Sequence, residues 1–203
     1  MSFDTGALDG FLQQGFHVNV MDLSKIGSTV LISLAEAIAI AEKEVLAGRV
    51  KTIVVDTISA LDEILTVFFR NKGFEKWDLY GNIKIEHMRF AMAIKRLPCN
   101  ILFVCHARHK GEFDAKDAAG KAQQEKKNAE GFGNIIPDIT GGALNHYRRD
   151  ASFEFPLMRG VENGINGRWF YPQPIKGFDT KTRLLLEPVI PADWRKVLAA
   201  ARS

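Results

Sequence analysis

The chain has too few cysteines for a disulfide framework. Cys99 and Cys105 are the two in 203 residues, and they flank one apolar stretch. Burial as small hydrophobes accounts for them better there than a bridge or a metal site. The expectation is a reducing, cytoplasmic setting. No apolar run approaches the roughly eighteen residues that would suggest a bilayer span, so no membrane partner is expected. The first residues show none of the basic start, apolar stretch and cleavage site of a secretory leader. An excess of one charge is missing too: 27 Lys+Arg stand against 24 Asp+Glu, a net +3. That balance permits contact with nucleic acid without requiring it. Internal repeats are absent, which excludes solenoids and propellers.

What is present suffices to fold. A hydrophobic share of 46% with 25% charged residues is ordinary for a globular chain. Length and composition predict one domain over residues 1–190 and a short helical tail over 191–203. Residues 17–22 alternate like a strand. Residues 24–47 carry Leu31, Leu34, Ala35, Ile38 and Val45 at helical spacing, up to a stop at Gly48. Thr52-Ile53-Val54-Val55-Asp56 is a continuous apolar run ending in a carboxylate, as a strand covered by helices on both faces is written. Residues 59–71 and 77–97 have the period of amphipathic helices, broken at Gly73 and stopped by Pro98. A second apolar strand, Ile101 to Cys105, ends at His106. Strands alternating with helices predict an α/β fold with a mostly parallel sheet, because parallel neighbours need a crossover between them.

Residues 107–138 lose the apolar periodicity and predict a long, mobile, charged loop. Beyond it, residues 141–147 suggest a short helix and 151–156 a strand. Residues 168–186 suggest a C-terminal β-hairpin about Lys176-Gly177, and 194–200 a terminal helix.

Asp56 closes its strand, with Thr57 and Ser59 opening the next helix. In that arrangement a carboxylate can hold magnesium at the sheet edge where ligands bind. The same spelling serves a residue that caps a helix. His106 leaves the second strand on the same edge if the two run parallel. There it can donate to a terminal phosphate or orient water, or simply close the strand. Two strands delivering polar groups to one edge favour a site over either alternative alone. Trp77, Tyr80, Phe68 and Phe69 read as packing residues.

The order of these pieces, ending in Gly141-Gly142-Ala143-Leu144-Asn145-His146-Tyr147, resembles the RecA-like ATPases. Closer still are the phage-encoded RecA-like ATPases of the Sak single-strand annealing type, in which Trp77, Tyr80 and Gly81 have look-alikes. The resemblance spans roughly residues 2–155. It implies a RecA-like three-layer core with ATP and Mg as cofactors. Asp56 is then the Walker B carboxylate on the metal, with Thr57 and Ser59 beside it at the nucleotide, and Asp56 and His106 form the catalytic pair. It further implies single-stranded DNA on Arg108, Lys110, Lys116, Lys121, Lys126 and Lys127, a homo-oligomer, and phage or host recombination proteins as partners. Interleaved Glu112, Asp114, Asp117 and Glu125 nearly cancel the loop's charge, so charge alone describes a solvated surface. Arg148 and Arg149 stand where RecA-like rings can reach a neighbour's phosphates, or are exposed cations near a helix end.

Two parts of the family pattern are missing. No glycine-rich loop leads into Lys-Ser or Lys-Thr: Lys25 has no glycine just ahead of it, and Lys51-Thr52 opens a strand, so neither wraps amides around phosphates. Ser2-Phe3-Asp4-Thr5 resembles the strand after the phosphate-loop helix, so the core is expected to be N-terminally truncated, without its P-loop. Gly6 stands where RecA has a water-activating glutamate, two residues past the aspartate that corresponds to Asp4. The expectation is a recombination protein of ATPase type that hydrolyses ATP poorly or not at all. The alternative is a non-enzymatic DNA-binding or assembly subunit.

Overall fold

The computed structural model describes residues 29–109, 135–173, 180–183 and 186–200. The strand expected at 17–22, the positions Asp4 and Gly6, most of the charged loop and the turn Lys176-Gly177 lie outside them. The residues group into two compact units, one of Met1–His106 with Pro137–Arg149 and the other of Ala107–Ile136 with Asp150–Ser203. No helix among the described residues is long and apolar enough to cross a membrane.

The first unit contains α1 (Val30–Leu46), β1 (Thr52–Val55), α2 (Ile58–Asn71), α3 (Lys76–Lys95), β2 (Asn100–Phe103) and, after a 3-10 turn at Gly141–Ala143, α4 (Leu144–Arg148). β1 and β2 pair in parallel, from Thr52↔Asn100 to Val55↔Phe103, as strands joined through helices must. The ladder continues past both strand ends. Val104 N–H donates to the Val55 carbonyl at 2.9 Å, and Ile58 N–H to the Val104 carbonyl at 2.8 Å. Helix ends follow the sequence: Gly48 at φ +71° and Gly73 at φ +83° adopt the left-handed backbone that terminates α1 and α2.

Apolar residues at helical spacing build the core. Ile58, Leu61, Leu65, Phe68 and Phe69 of α2 and Leu79, Ile83, Phe90, Ala91 and Ile94 of α3 are buried with Ile53 and Val55 of β1. Each large side chain so buried contributes about 1.5–3 kcal/mol. β1 departs from expectation, because it is not covered on both faces by the described residues. Ile53 and Val55 are buried while Thr52 and Val54 are exposed, so these helices cover one face only.

In the second unit, β3 (Ala107–His109) and β4 (Ile135–Pro137) form a two-stranded sheet. The segment read as loop from 107 to 138 is therefore strand at both ends. β5 (Phe153–Glu154) pairs antiparallel with β8 (Lys181–Thr182). β6 (Leu157–Glu162) and β7 (Ile165–Phe170) form an antiparallel hairpin, with β9 (Ile190–Pro191) beside β7 and α5 (Trp194–Ala200) after it. The hairpin expected about Lys176-Gly177 is corrected by this pairing: the strand through Arg168 takes β6 as its partner. Asn163 at φ +53° and Gly164 at φ +77° supply the two left-handed residues of a tight hairpin turn. Phe170, Ile190 and Val197 form a small core with Phe153, Phe155 and Leu186.

Leu65 is fully buried whereas Val67, two residues on, is 57% exposed. In urea unfolding, Leu65→Ala should cost about 2–5 kcal/mol, and Val67→Ala should stay within about 0.5 kcal/mol of the parent.

Candidate functional site

Parallel pairing puts the carboxyl ends of β1 and β2 on one edge, so Asp56 and His106 leave the sheet on the same side. Asp56 is half-buried and His106 exposed. The peptide bond joining Asp56 to Thr57 is cis. Thr57 is buried, and its hydroxyl accepts from Ala60 N–H at 3.1 Å. It is thus the N-cap of α2, satisfying a donor that the first helical turn leaves open.

Ser59, also buried, fastens the end of β2. Its Oγ accepts from His106 N–H at 3.0 Å and lies 3.2 Å from Cys105 Sγ. Cys105 Sγ donates to the Asp138 carbonyl at 3.7 Å, and Asp138 N–H donates to the His106 carbonyl at 2.7 Å. Because the Cys105 S–H is used on the Asp138 carbonyl, the Ser59 hydroxyl donates to sulfur, and each hydrogen then has one acceptor. The backbone of His106 is so held from both sides. Burial pushes the Cys105 thiol up to about 11, against a smaller downward pull from the Ser59 hydrogen bond; Cys105 is therefore a structural thiol.

A second polar cluster lies one helical turn beyond Ser59. Asp62 Oδ1 accepts from His87 Nε2 at 2.9 Å and from Thr140 N–H at 3.1 Å, and its Oδ2 accepts from Thr140 Oγ1 at 2.6 Å. His87 Nδ1 is 2.6 Å from the Tyr147 hydroxyl. A carboxylate cannot donate, so Nε2 carries the proton. In the neutral ring Nδ1 then accepts the phenolic hydrogen. His87 is fully buried and Tyr147 is 5% exposed. The Tyr147 ring packs edge-on against Phe103 at 4.9 Å and His87 at 5.7 Å. Burial first, and the Asp62 charge second, hold the Tyr147 phenol well above its usual range. One network thereby joins α2, α3, α4 and the strand that leads to His106.

The sequence holds a sign of this cluster. In α3 the buried positions run Leu79, Ile83, His87, Phe90, Ile94, a regular apolar stripe with one histidine in it. A histidine there must find partners. Nearby, His146 is held below the usual imidazole range by desolvation and then by Lys84, and its carbonyl accepts from Lys95 Nζ at 2.5 Å. The Lys84 stem packs so closely on Gly142 that an added Cβ would lie 3.3 Å from it, which fits glycine to that position.

Of the residues expected on DNA, Arg108 is half-buried on β3; Lys110, Lys116, Lys121, Lys126 and Lys127 lie outside the described residues. Phe68 and Phe69 are packed, their rings 5.0 Å apart and edge-on. Trp77 and Tyr80 are not: Trp77 is 87% exposed and Tyr80 50%. With Arg70, Phe74 and Lys76 they line an open cleft of about 630 Å³. The packing role expected for them fails because Trp77 lies roughly 200° around α3 from Leu79, away from the buried stripe.

A family model described as AAA domain matches residues 17–184. No curated protein and no solved structure matches the chain.

Because folding raises the Tyr147 pKa, the neutral phenol favours the native state. That stabilisation is complete below the unfolded value of about 10 and is lost as pH rises from there toward the folded value. Unfolding free energy should therefore fall with alkaline pH above about 10 in the parent. In Tyr147→Phe the fall should be shallower, while at neutral pH the variant loses about 1–3 kcal/mol because His87 Nδ1 is left without a donor. Denaturant titrations of both proteins across that pH range check it.

Proposed function

The chain belongs to the AAA domain family, P-loop-type domains with nucleotide-dependent ATPase-like function, and on that premise we propose a protein of phage DNA recombination or single-strand annealing. In this reading it binds single-stranded DNA, assembles as a homo-oligomer, and hydrolyses ATP weakly or not at all on its own residues. The observation that carries the reading is the parallel pairing of β1 with β2, which brings Asp56 and His106 to one edge. Ligands of open α/β sheets bind beyond the carboxyl ends of their strands.

Asp56 is the residue that would hold Mg, since that ion takes one or two protein carboxylates and fills its remaining positions with water and phosphate oxygens. Bound there with ATP, the metal would neutralise charge on the phosphates. His106, exposed and fixed through its backbone, is suited to donate to a phosphate oxygen or to orient water. Thr57 and Ser59 act one step back. Their hydroxyls cap α2 and clamp His106, so they position the edge rather than reach a nucleotide. That internal use, together with Gly6, favours a second reading, a DNA-binding or assembly subunit without catalysis. The DNA contact proposed for Arg108, Lys110, Lys116, Lys121, Lys126 and Lys127 rests on phosphate neutralisation.

Titration with Mg-ATP separates the two readings. The expected result is weak binding and background turnover. Micromolar, magnesium-dependent affinity abolished by Asp56→Ala would instead establish a working nucleotide site. Binding to single-stranded DNA should weaken with salt. Replacing Lys126 and Lys127 together by glutamine should lower the slope of log affinity against log salt by roughly 1.4, about 0.7 for each lost phosphate contact; an unchanged slope removes the loop from the interface.

A further inference from the structure

The β6–β7 hairpin has two unlike faces. On one, Gly160 and Gly167 stand opposite each other, and the Trp169 indole lies over them. Its Nε1–H donates to the Gly160 carbonyl at 3.1 Å, and a Cβ at Gly167 would meet the indole at 3.5 Å. On that same face the Tyr171 hydroxyl donates to Glu162 Oε1 at 2.7 Å. An aromatic side chain laid over paired glycines covers backbone that would otherwise face water. Trp169 and Tyr171 are both buried. Ile165, on this face beside the turn, is 61% exposed; the rest of the face is taken up by the ribbon's own side chains.

The other face is presented outward. Leu157, Arg159 and Val161 of β6 alternate onto it, opposite Phe170, Arg168 and Asn166 of β7. Phe170 is buried in the small core at the ribbon's base, while Leu157 is 54% and Val161 65% exposed, and Arg159, Asn166 and Arg168 are exposed. Arg159 sits directly across from Arg168. Like charges in direct cross-strand register destabilise a sheet, and no carboxylate among the described residues pairs with either guanidinium. Glu162, the acid of these two strands, points to the opposite face and is held by Tyr171. Within the ribbon the arginine pair adds repulsion and no bond. Among the described residues its charge is not offset.

We infer that this face of the β6–β7 ribbon is a contact for the phosphodiester backbone of single-stranded DNA, with Arg159 and Arg168 as the anion-binding side chains. The inference rests on the proposed reading that the chain binds such a strand, and adds a surface to it. Charge complementarity selects the occupant. Two arginines paired across a ladder offer guanidinium forks that match phosphate oxygens. The Asn166 amide beside them can bond sugar or phosphate, and exposed Leu157 and Val161 give sugars and bases an apolar rest. The two-residue turn limits sliding between the strands, so the arginine spacing is set before the strand arrives.

The test is fluorescence anisotropy of a labelled oligothymidine across a salt series. It compares the full chain with Arg159→Gln/Arg168→Gln and with Lys126→Gln/Lys127→Gln. The ribbon variant is expected to bind more weakly, with a salt slope smaller by roughly 1.4, and its urea midpoint should be equal to or above the parent's because the like-charge pair is gone. Arg159→Lys/Arg168→Lys should recover part of the affinity. If the parent binds the oligonucleotide and the ribbon variant binds equally well, the inference falls while the proposed function stands. Weakening confined to duplex DNA, or to polyglutamate, also overturns it. If the parent does not bind oligothymidine at any salt, the proposed function falls first and the inference with it. A ribbon variant with a lowered urea midpoint would show the arginines to be structural, and would overturn it as well.

Discussion

The Asp62 carboxylate accepts three hydrogen bonds at 3.1 Å or less, from His87 and twice from Thr140, and the first unit is arranged around that fact. Thr140 sits in the stretch that re-enters this unit after β4, ahead of α4; His87 belongs to α3, and Asp62 itself to α2. Each donor loses water on burial and regains a partner only if all three segments keep their places. A misplaced helix would strand several polar groups at once, at about 1–3 kcal/mol each. The apolar stripes on α2 and α3 supply the larger part of the burial energy, but apolar contact is tolerant of small slides. Hydrogen bonds between named atoms are not, and they fix the rotation and depth at which those stripes meet.

From that anchor the sheet edge follows. Asp62 and Ser59 lie on the same helix, three residues apart. Ser59 holds the backbone of His106, while Asp138, two residues before Thr140, holds it from the other side. The order at His106 is therefore inherited from the buried cluster through α2 on one flank and through residues 138–140 on the other. Thr57, one residue past Asp56, caps that same helix. Both polar groups at the strand ends are tied to one rigid element, which is how a loop-borne site acquires defined geometry.

Much of this was legible in the residues themselves. Two apolar runs ending in Asp56 and His106 predict parallel strands with a shared edge, and Gly48, Gly73 and Pro98 mark helix ends, because continuous apolarity and forced backbone angles are local properties. The one-sided cover of β1 by the described residues was hidden: Val54 is as apolar as Val55, and only what packs above it decides that it is exposed. The hairpin was misplaced for a different reason. Asn163-Gly164 spells a two-residue strand reversal, but β6 holds Gly160, and a glycine in a strand weakens the signal unless a tryptophan on the next strand covers it. Trp77 misled in the opposite sense, since an aromatic on a helix suggests a core until the stripe it misses has been traced. The His87 cluster joins residues up to 85 positions apart, from Asp62 to Tyr147, and no local pattern reports a partnership of that reach.

The contrast between Trp77 and Trp169 gives the molecule two built-in optical reporters with different sensitivities. The indole in the first unit is already bathed in water in the native state, so its emission has little further to move when that unit opens. The indole of the second unit is sheltered, with its nitrogen bonded to a carbonyl, and its emission must redden on release. With Trp194 replaced by phenylalanine, intrinsic fluorescence would follow melting of the ribbon almost alone, while circular dichroism, dominated by the helices of the first unit, would follow the rest. Whether the two signals change together is then a direct measure of how cooperatively the two units unfold.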